Sequence, residues 1–244
     1  LNEKFPKVTF LIPVYNGEGF IDLTIKSILE INYPLKQIEI IVVDDGSKDK
    51  TSEVVKSFKE VKLIKKSNGG KASAINAGIK YITGEYTVIL DADTILEKDI
   101  LKKCLSYFNN KDVGAVIPTL RPYNPKKIIE KMQVLEYAMS TFVRSLMSTY
   151  EALPAAPACT LFKAEVLKKT GGYDEYNLTE DFEMALKLKK MGYNIYNAIN
   201  ASAYTFVPDK LNKLYKQRLR WCFGTAYNLK KHKDIFGFKN GDFG

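Results

Sequence analysis

The chain has 244 residues, 45% of them hydrophobic and 27% charged, which is ordinary globular usage and excludes a disordered, collagen-like or disulfide-scaffold protein. Its formal net charge is +9, yet eight basic residues and no acidic one lie between Lys210 and Lys233, so the rest is nearly balanced. That local excess points to phosphate groups or an anionic membrane surface and away from nucleic acid.

Val8 to Val14 predicts a buried strand running into Tyr15-Asn16-Gly17, and Gly19 to Ile31 a helix, with Phe20, Leu23, Ile28 and Ile31 at helical intervals. Ile38 to Val43 is a second buried strand, stopped by Asp44-Asp45-Gly46-Ser47 and followed by a helix over Thr51 to Phe58. Lys62 to Lys65 predicts a short strand, Gly69-Gly70-Lys71 opens a helix, and Tyr86 to Leu90 is a strand ending at Asp91-Ala92-Asp93. This alternation implies an α/β fold: a doubly wound, mostly parallel sheet with helices on both faces. Beyond it come a strand over Val113 to Pro118, a long amphipathic helix from Pro125 to Met147 and a Pro/Ala-rich loop from Leu153 to Cys159. A helix over Thr179 to Met191, a strand over Tyr193 to Tyr196 and a basic amphipathic helix over Lys210 to Leu229 complete the reading. No membrane span is expected, since even Ile128 to Tyr150 carries Glu130, Lys131, Glu136 and Arg144. The start at Leu1 is read as an expectation that the chain is a piece of something longer.

With one histidine and three scattered cysteines, Cys104, Cys159 and Cys222, multi-histidine metal sites, CxxC sites and Ser-His-Asp chemistry fall away, and acid–base work passes to carboxylates. In doubly wound sheets ligands sit beyond the carboxyl ends of the strands, where this sequence puts Asp44-Asp45 and Asp91-Ala92-Asp93. Asp91 and Asp93 point the same way and suit Mg²⁺ or Mn²⁺ together with a diphosphate; a solvated turn is the alternative. Thr179-Glu180-Asp181 reads either as an N-cap with acids in the first turn, or as a carboxylate kept ionised by the helix end to act as a general base. In Gln217-Arg218-Leu219-Arg220-Trp221 the residues Gln217, Arg220 and Trp221 share a helical face, with Gly224 extending it. That face suits a diphosphate beside a sugar ring, or else belongs to an amphipathic helix with its cations in water.

Together these pieces, with Ile12-Pro13-Val14-Tyr15-Asn16-Gly17-Glu18 and Gly70-Lys71 to Ala77-Gly78, resemble an inverting glycosyltransferase of family 2 with the GT-A fold. The last two motifs resemble the branch of cellulose, chitin, hyaluronan and poly-N-acetylglucosamine synthases. The resemblance implies that Tyr15 lies against uracil, Asp45 bonds its edge and Lys71 lies near the nucleotide phosphates. It implies that Asp93, with Asp91, holds the donor and a Mg²⁺ or Mn²⁺ ion, and that Asp181 deprotonates the acceptor hydroxyl, with Glu180 on the acceptor side. Gln217, Arg218 and Arg220 would close over the diphosphate and Trp221 would floor the acceptor site. It also implies a GT-A catalytic domain over residues 1–207, with a nucleotide half 1–120 and an acceptor half 121–207, and an interfacial segment 208–244. The expected partners are a UDP-sugar, a polysaccharide acceptor and a membrane surface or missing transmembrane helices, and the expected location is the cytoplasmic face of the cell membrane. Single-sugar transfer to a lipid and a non-catalytic nucleotide-sugar-binding module are the alternatives. Leu153 to Thr160 departs from the Gly-rich, Cys-containing segment such synthases often carry there.

Overall fold

A computed structural model describes residues 5–149 and 158–235, with no side-chain detail for 147–149. The Pro/Ala-rich segment over 153–157 and the last nine residues lie outside the described residues. In chain order the elements are β1 (Val8–Val14), α1 (Ile21–Leu29), β2 (Ile38–Asp44), α2 (Thr51–Lys56), β3 (Val61–Lys65), α3 (Lys71–Ile79), β4 (Tyr86–Leu90), β5 (Thr94–Leu96) and α4 (Ile100–Leu105). They continue with β6 (Val113–Pro122), α5 (Ile128–Thr149), β7 (Cys159–Lys163), α6 (Ala164–Lys169), α7 (Glu180–Lys190), β8 (Asn194–Thr205) and α8 (Leu211–Lys231).

The strands form one sheet in the order β3-β2-β1-β4-β7-β6-β8-β5. Pairing is parallel from β3 through β4 and between β6 and β8; β7 runs antiparallel to β4 and β6, and β5 antiparallel to β8. The central strands are mostly apolar because both faces are covered, and the pleat divides them. Phe10, Ile12, Val42, Val88 and Leu90 face one core with Ile21, Ile25, Ile28 and Leu101, while Leu11, Ile41, Val43 and Ile89 face the other with Ile75, Leu167, Met184 and Leu188. Gly78 lets α3 lie close on β1: a Cβ there would overlap the Leu11 side chain.

The strand order reverses between β1 and β4, which makes their carboxyl ends the crevice of the fold. Pairing of β1 with β4 stops at Leu11 and Ile89. Two residues later Pro13, with no N–H to donate, sits where no β4 partner is needed.

The four short elements β5, β7, α4 and α6 have no counterpart in the sequence reading, and β8 runs nine residues beyond the expected end at Tyr196. Its extension survives Asn197 and Asn200 by a register shift opposite Pro118 and Thr119, after which Ser202, Ala203, Tyr204 and Thr205 pair with β6.

Candidate functional site

The loop after β1 is sewn to the loop after β2. Asn16, in a left-handed conformation at φ 51°, accepts the Lys48 N–H at 2.9 Å and donates its own backbone N–H to Ser47 Oγ at 2.9 Å. Gly17 N–H donates to Thr51 Oγ1 at 2.7 Å. Tyr15 projects from this stitched turn with 47% of its surface exposed.

Asp45 follows β2 and is buried. Its carboxylate accepts Lys66 Nζ at 2.7 Å, Gly69 N–H at 3.0 Å and Gly70 N–H at 2.7 Å. Gly70, at φ 89°, is the cap residue of α3, a conformation that favours glycine. Asp45 therefore fixes the start of α3 and with it the place of Lys71, the first residue of that helix.

Lys71 joins two acid motifs. Its ammonium lies 2.6 Å from Asp91 Oδ1 at the end of β4 and 3.2 Å from Glu180 Oε1 at the start of α7. Burial opposes the charge on Lys71, but Asp91, Glu180 and Asp181 outweigh it and hold the group protonated well above the ordinary lysine range. Asp93, two residues along from Asp91, has its carboxyl pushed up to about 6 by burial and then by Asp91. Asp181 is likewise raised to about 6 by burial and then by Glu180, with Lys71 pulling the other way. Four carboxylates thus lie within electrostatic reach of one ammonium. Among the described residues no cluster of three or more His, Cys, Asp or Glu is arranged to hold a metal by itself. Asp91 and Asp93 form a pair of hard oxygen donors, which fits a cation that completes its shell with water and phosphate.

Thr179 occupies the expected cap position of α7 but does not cap it with its side chain. Its hydroxyl instead accepts Asn228 Nδ2 from α8 at 2.9 Å. Thr179 thus holds the N-cap position with Glu180, Asp181 and Glu183 in the first turn, where the helix dipole favours them, but the side-chain half of the capping reading is absent.

On α8 the aromatic and basic residues divide into two groups. Arg218 stacks over the Trp221 ring at 4.1 Å, donates to Gln217 Oε1 at 2.5 Å and pairs with Glu136 Oε2 of α5 at 2.6 Å. Arg220 donates to the Leu178 carbonyl at 2.9 Å, three residues before Asp181. The helix is thereby tied both to α5 and to the turn before α7. Tyr137, the residue after Glu136, is half-buried against the core that holds Phe10 and Leu90, and burial raises its phenol pKa, with Arg218 opposing and Asp93 adding to the shift. Glu136, Tyr137, Asn177 and Asn228 have no signal in the sequence: each gains its meaning only from a partner many positions away.

The family model for Glycosyl transferase family 2 matches residues 9–171. The poly-beta-1,6-N-acetyl-D-glucosamine synthase of Staphylococcus epidermidis is 35% identical over 224 residues, covering 89% of this chain and 54% of the relative. This chain spans about half the length of that curated relative. Among solved structures, the mannosyltransferase PcManGT from Pyrobaculum calidifontis, in complex with GDP-Man and Mn²⁺, aligns with a TM-score of 0.80 and 26% identity over 94% of this chain and 64% of that one. Staphylococcus aureus TarS 1-349 in complex with UDP-GlcNAc shares the fold, with a TM-score of 0.66 and 20% identity over 84% of this chain and 59% of that one.

Proposed function

This chain belongs to glycosyl transferase family 2, and on that premise we propose that it transfers a hexose or N-acetylhexosamine from a UDP-sugar to a hydroxyl of a growing polysaccharide, with inversion and with Mg²⁺ or Mn²⁺. The observation that carries the reading is the Lys71 bridge from Asp91 to Glu180, because it brings the strand-end acids and the helix-start acids to one place. The naming of the Staphylococcus epidermidis relative as a polysaccharide synthase supports the acceptor class, and the UDP-GlcNAc bound to TarS makes a UDP-sugar the first donor to test.

Tyr15, exposed at the switch point, packs on the uracil, and Asp45 closes the base side through the Gly69-Gly70 turn that it anchors. Lys71 stands at the phosphate side, and Gln217, Arg218 and Arg220 supply donors to the diphosphate as it leaves. Asp91 and Asp93 would hold the divalent cation, whose charge offsets that of the departing diphosphate when it is bound. Asp181 takes the proton of the acceptor hydroxyl; the acceptor oxygen forms its bond to the anomeric carbon on one face, and the bond to the diphosphate breaks on the other. Glu180 and Trp221 line the acceptor side, the indole beneath a sugar ring.

We assign residues 1–207 to the catalytic domain, divided near residue 120 into nucleotide and acceptor halves, and 208–244 to an interfacial segment. Among the described residues no helix is long and apolar enough to cross a membrane. The exposed apolar residues of α8, including Tyr215 and Phe223, interleave with its lysines, which supports placing it against the cytoplasmic face of a membrane. The same stripe favours a second reading, single-sugar transfer to a lipid acceptor.

Calorimetry with UDP-, GDP- and dTDP-sugars, with and without Mn²⁺, followed by product analysis, tests the proposal. Binding of a UDP-sugar that strengthens with Mn²⁺ and yields an extended glycan is the expected result. Preference for a GDP-sugar would overturn the assignments of Tyr15 and Asp45.

A further inference from the structure

We infer that Asn228 is a positioning residue that holds, from α8, the turn on which Asp181 is mounted. The inference rests on the reading of Asp181 as the base.

Among the residues of α8 only Gly224 and Asn228 are buried. A wholly buried amide on a helix otherwise open to solvent is costly unless its hydrogen bonds are made. Those of Asn228 are all directed to one short segment. Its Nδ2 reaches Thr179 Oγ1 at 2.9 Å, the Thr179 carbonyl at 3.2 Å and Asn177 Oδ1 at 3.1 Å, and its Oδ1 accepts Asn177 Nδ2 at 2.7 Å. One turn earlier on the same face, Gly224 leaves room for Thr179: a Cβ at 224 would overlap its hydroxyl and methyl. One turn earlier again, Arg220 holds the Leu178 carbonyl at 2.9 Å. Residues 220, 224 and 228, four apart on one ridge, therefore meet the segment 177–179: Arg220 at Leu178, Gly224 at Thr179, and Asn228 at both Asn177 and Thr179; Glu180 and Asp181 come next. Three residues beyond Asn228, Lys231 pairs with Asp174 at 2.7 Å.

This grip sets the direction of α7. The Thr179 carbonyl accepts the Glu183 N–H at 3.1 Å, the bond that closes the first turn, and it is this carbonyl that Asn228 also holds. Thr179 makes no side-chain cap bond of its own, and the one local side-chain bond, Thr179 N–H to Asn177 Oδ1 at 3.1 Å, comes from the other residue that Asn228 holds. The turn in which Glu180 meets Lys71, with Asp181 the next residue, is thus aimed from the helix that carries Gln217, Arg218, Arg220 and Trp221. The groups proposed to receive the diphosphate and the group proposed to receive the proton move as one body.

The test uses the 244-residue chain, with Asn228→Leu as the main variant and Thr179→Val, which removes only the hydroxyl partner, as a milder one in case the first does not fold. Release of UDP from UDP-GlcNAc with Mn²⁺ is measured at saturating donor, donor affinity by calorimetry, and backbone exchange at the amides of 181–183 by hydrogen–deuterium exchange. The inference expects turnover to fall about tenfold or more with donor affinity within about threefold of the parent, and amide exchange at 181–183 to quicken about tenfold while the amides of β1 and β4 stay protected. Unchanged turnover, a parallel loss of donor affinity, or unchanged exchange at 181–183 overturns it. Asp181→Asn separates the two layers: full transfer by that variant removes the base assignment, whereas a dead Asp181→Asn beside a fully active Asn228→Leu removes only the positioning role. Should the parent release no UDP, the donor assignment fails and the exchange measurement decides the inference alone.

Discussion

Lys71 and Asp91 form a 2.6 Å ion pair that joins the first residue of α3 to the end of β4, and the same ammonium reaches Glu180 at 3.2 Å. Replacing Lys71 with Met leaves these carboxylates facing one another without a cation. Turnover should fall about tenfold or more, equivalent to about 1.4 kcal/mol of barrier. Lys71 lowers the pKa of Asp181, so its removal raises that pKa further and moves the acid limb of the pH–rate profile upward. Lys71→Arg keeps the charge and should shift the limb less. An acid limb that stays in place in Lys71→Met would count against this electrostatic link.

The wild-type profile follows from the same geometry. A base must be ionised to accept a proton, and Asp181 is raised to about 6. The transfer rate should therefore be level above that pH and decline as pH falls through it. Asp93, also raised to about 6, makes protons compete with the divalent cation in the same range. Rates measured at several Mn²⁺ concentrations separate the two: added metal restores the part of the decline that belongs to Asp93 and leaves the part that belongs to Asp181.

Asp181→Asn should reduce transfer by about 10²- to 10⁴-fold, the usual contribution of a general base, with little change in UDP-sugar affinity. It should also stabilise the fold above pH 6. A carboxyl whose folded pKa is raised contributes stability below its unfolded pKa, 3.8 here, and loses it as pH rises through about 6. A neutral isostere that keeps the oxygen accepting the Phe182 N–H avoids that loss. Thermal melts at pH 5 and pH 8 check this: the variant's gain should be larger at pH 8, and a gain confined to pH 5 would contradict the sign.

The strands that build the crevice were legible because buried parallel strands read as continuous apolar runs, and Val8–Val14 and Tyr86–Leu90 have the bounds expected from sequence. β5 is three residues long and β7 five, too short for periodicity to separate them from loops. Tertiary pairing decides those segments: Cys159 to Lys163 is a strand because Leu90 to Tyr86 lie beside it. In the candidate site, residue types and order were readable but partners were not. Nothing local says that the acid for Arg218 is Glu136, 82 positions away, or that Asn228 belongs to Thr179.

Gly78 tests the packing beneath the site. Because a Cβ at 78 would overlap Leu11 Cδ1 and crowd Val43, Gly78→Val should cost about 1–3 kcal/mol as an overpacked core. Lifting α3 from β1 and β2 also displaces Lys71. Chemical denaturation should show the lost stability, and donor affinity should weaken in the same variant. A Gly78→Val variant that melts and binds like the parent would mean α3 has slack that these contacts deny.

The outer faces of α5 and α8 expose large apolar side chains. Met139 and Phe142 on α5 are 69% and 70% exposed, and Tyr215 and Phe223 on α8 are each 63% exposed, while the Arg218–Glu136 pair ties the two helices together. Large apolar side chains left in water at helical spacing, beside Lys213, Lys216 and Lys230, suit an anionic lipid surface, where rings enter the acyl boundary and lysines meet headgroups. A fully buried aromatic is worth about 1.5–3 kcal/mol, so Phe223→Glu should weaken co-sedimentation with phosphatidylglycerol vesicles about tenfold. Met139→Glu should act in the same direction if both helices lie on the surface. Salt should weaken the wild-type interaction, since screening removes the lysine contribution. Equal sedimentation of Phe223→Glu and the parent would place the stripe against something other than lipid.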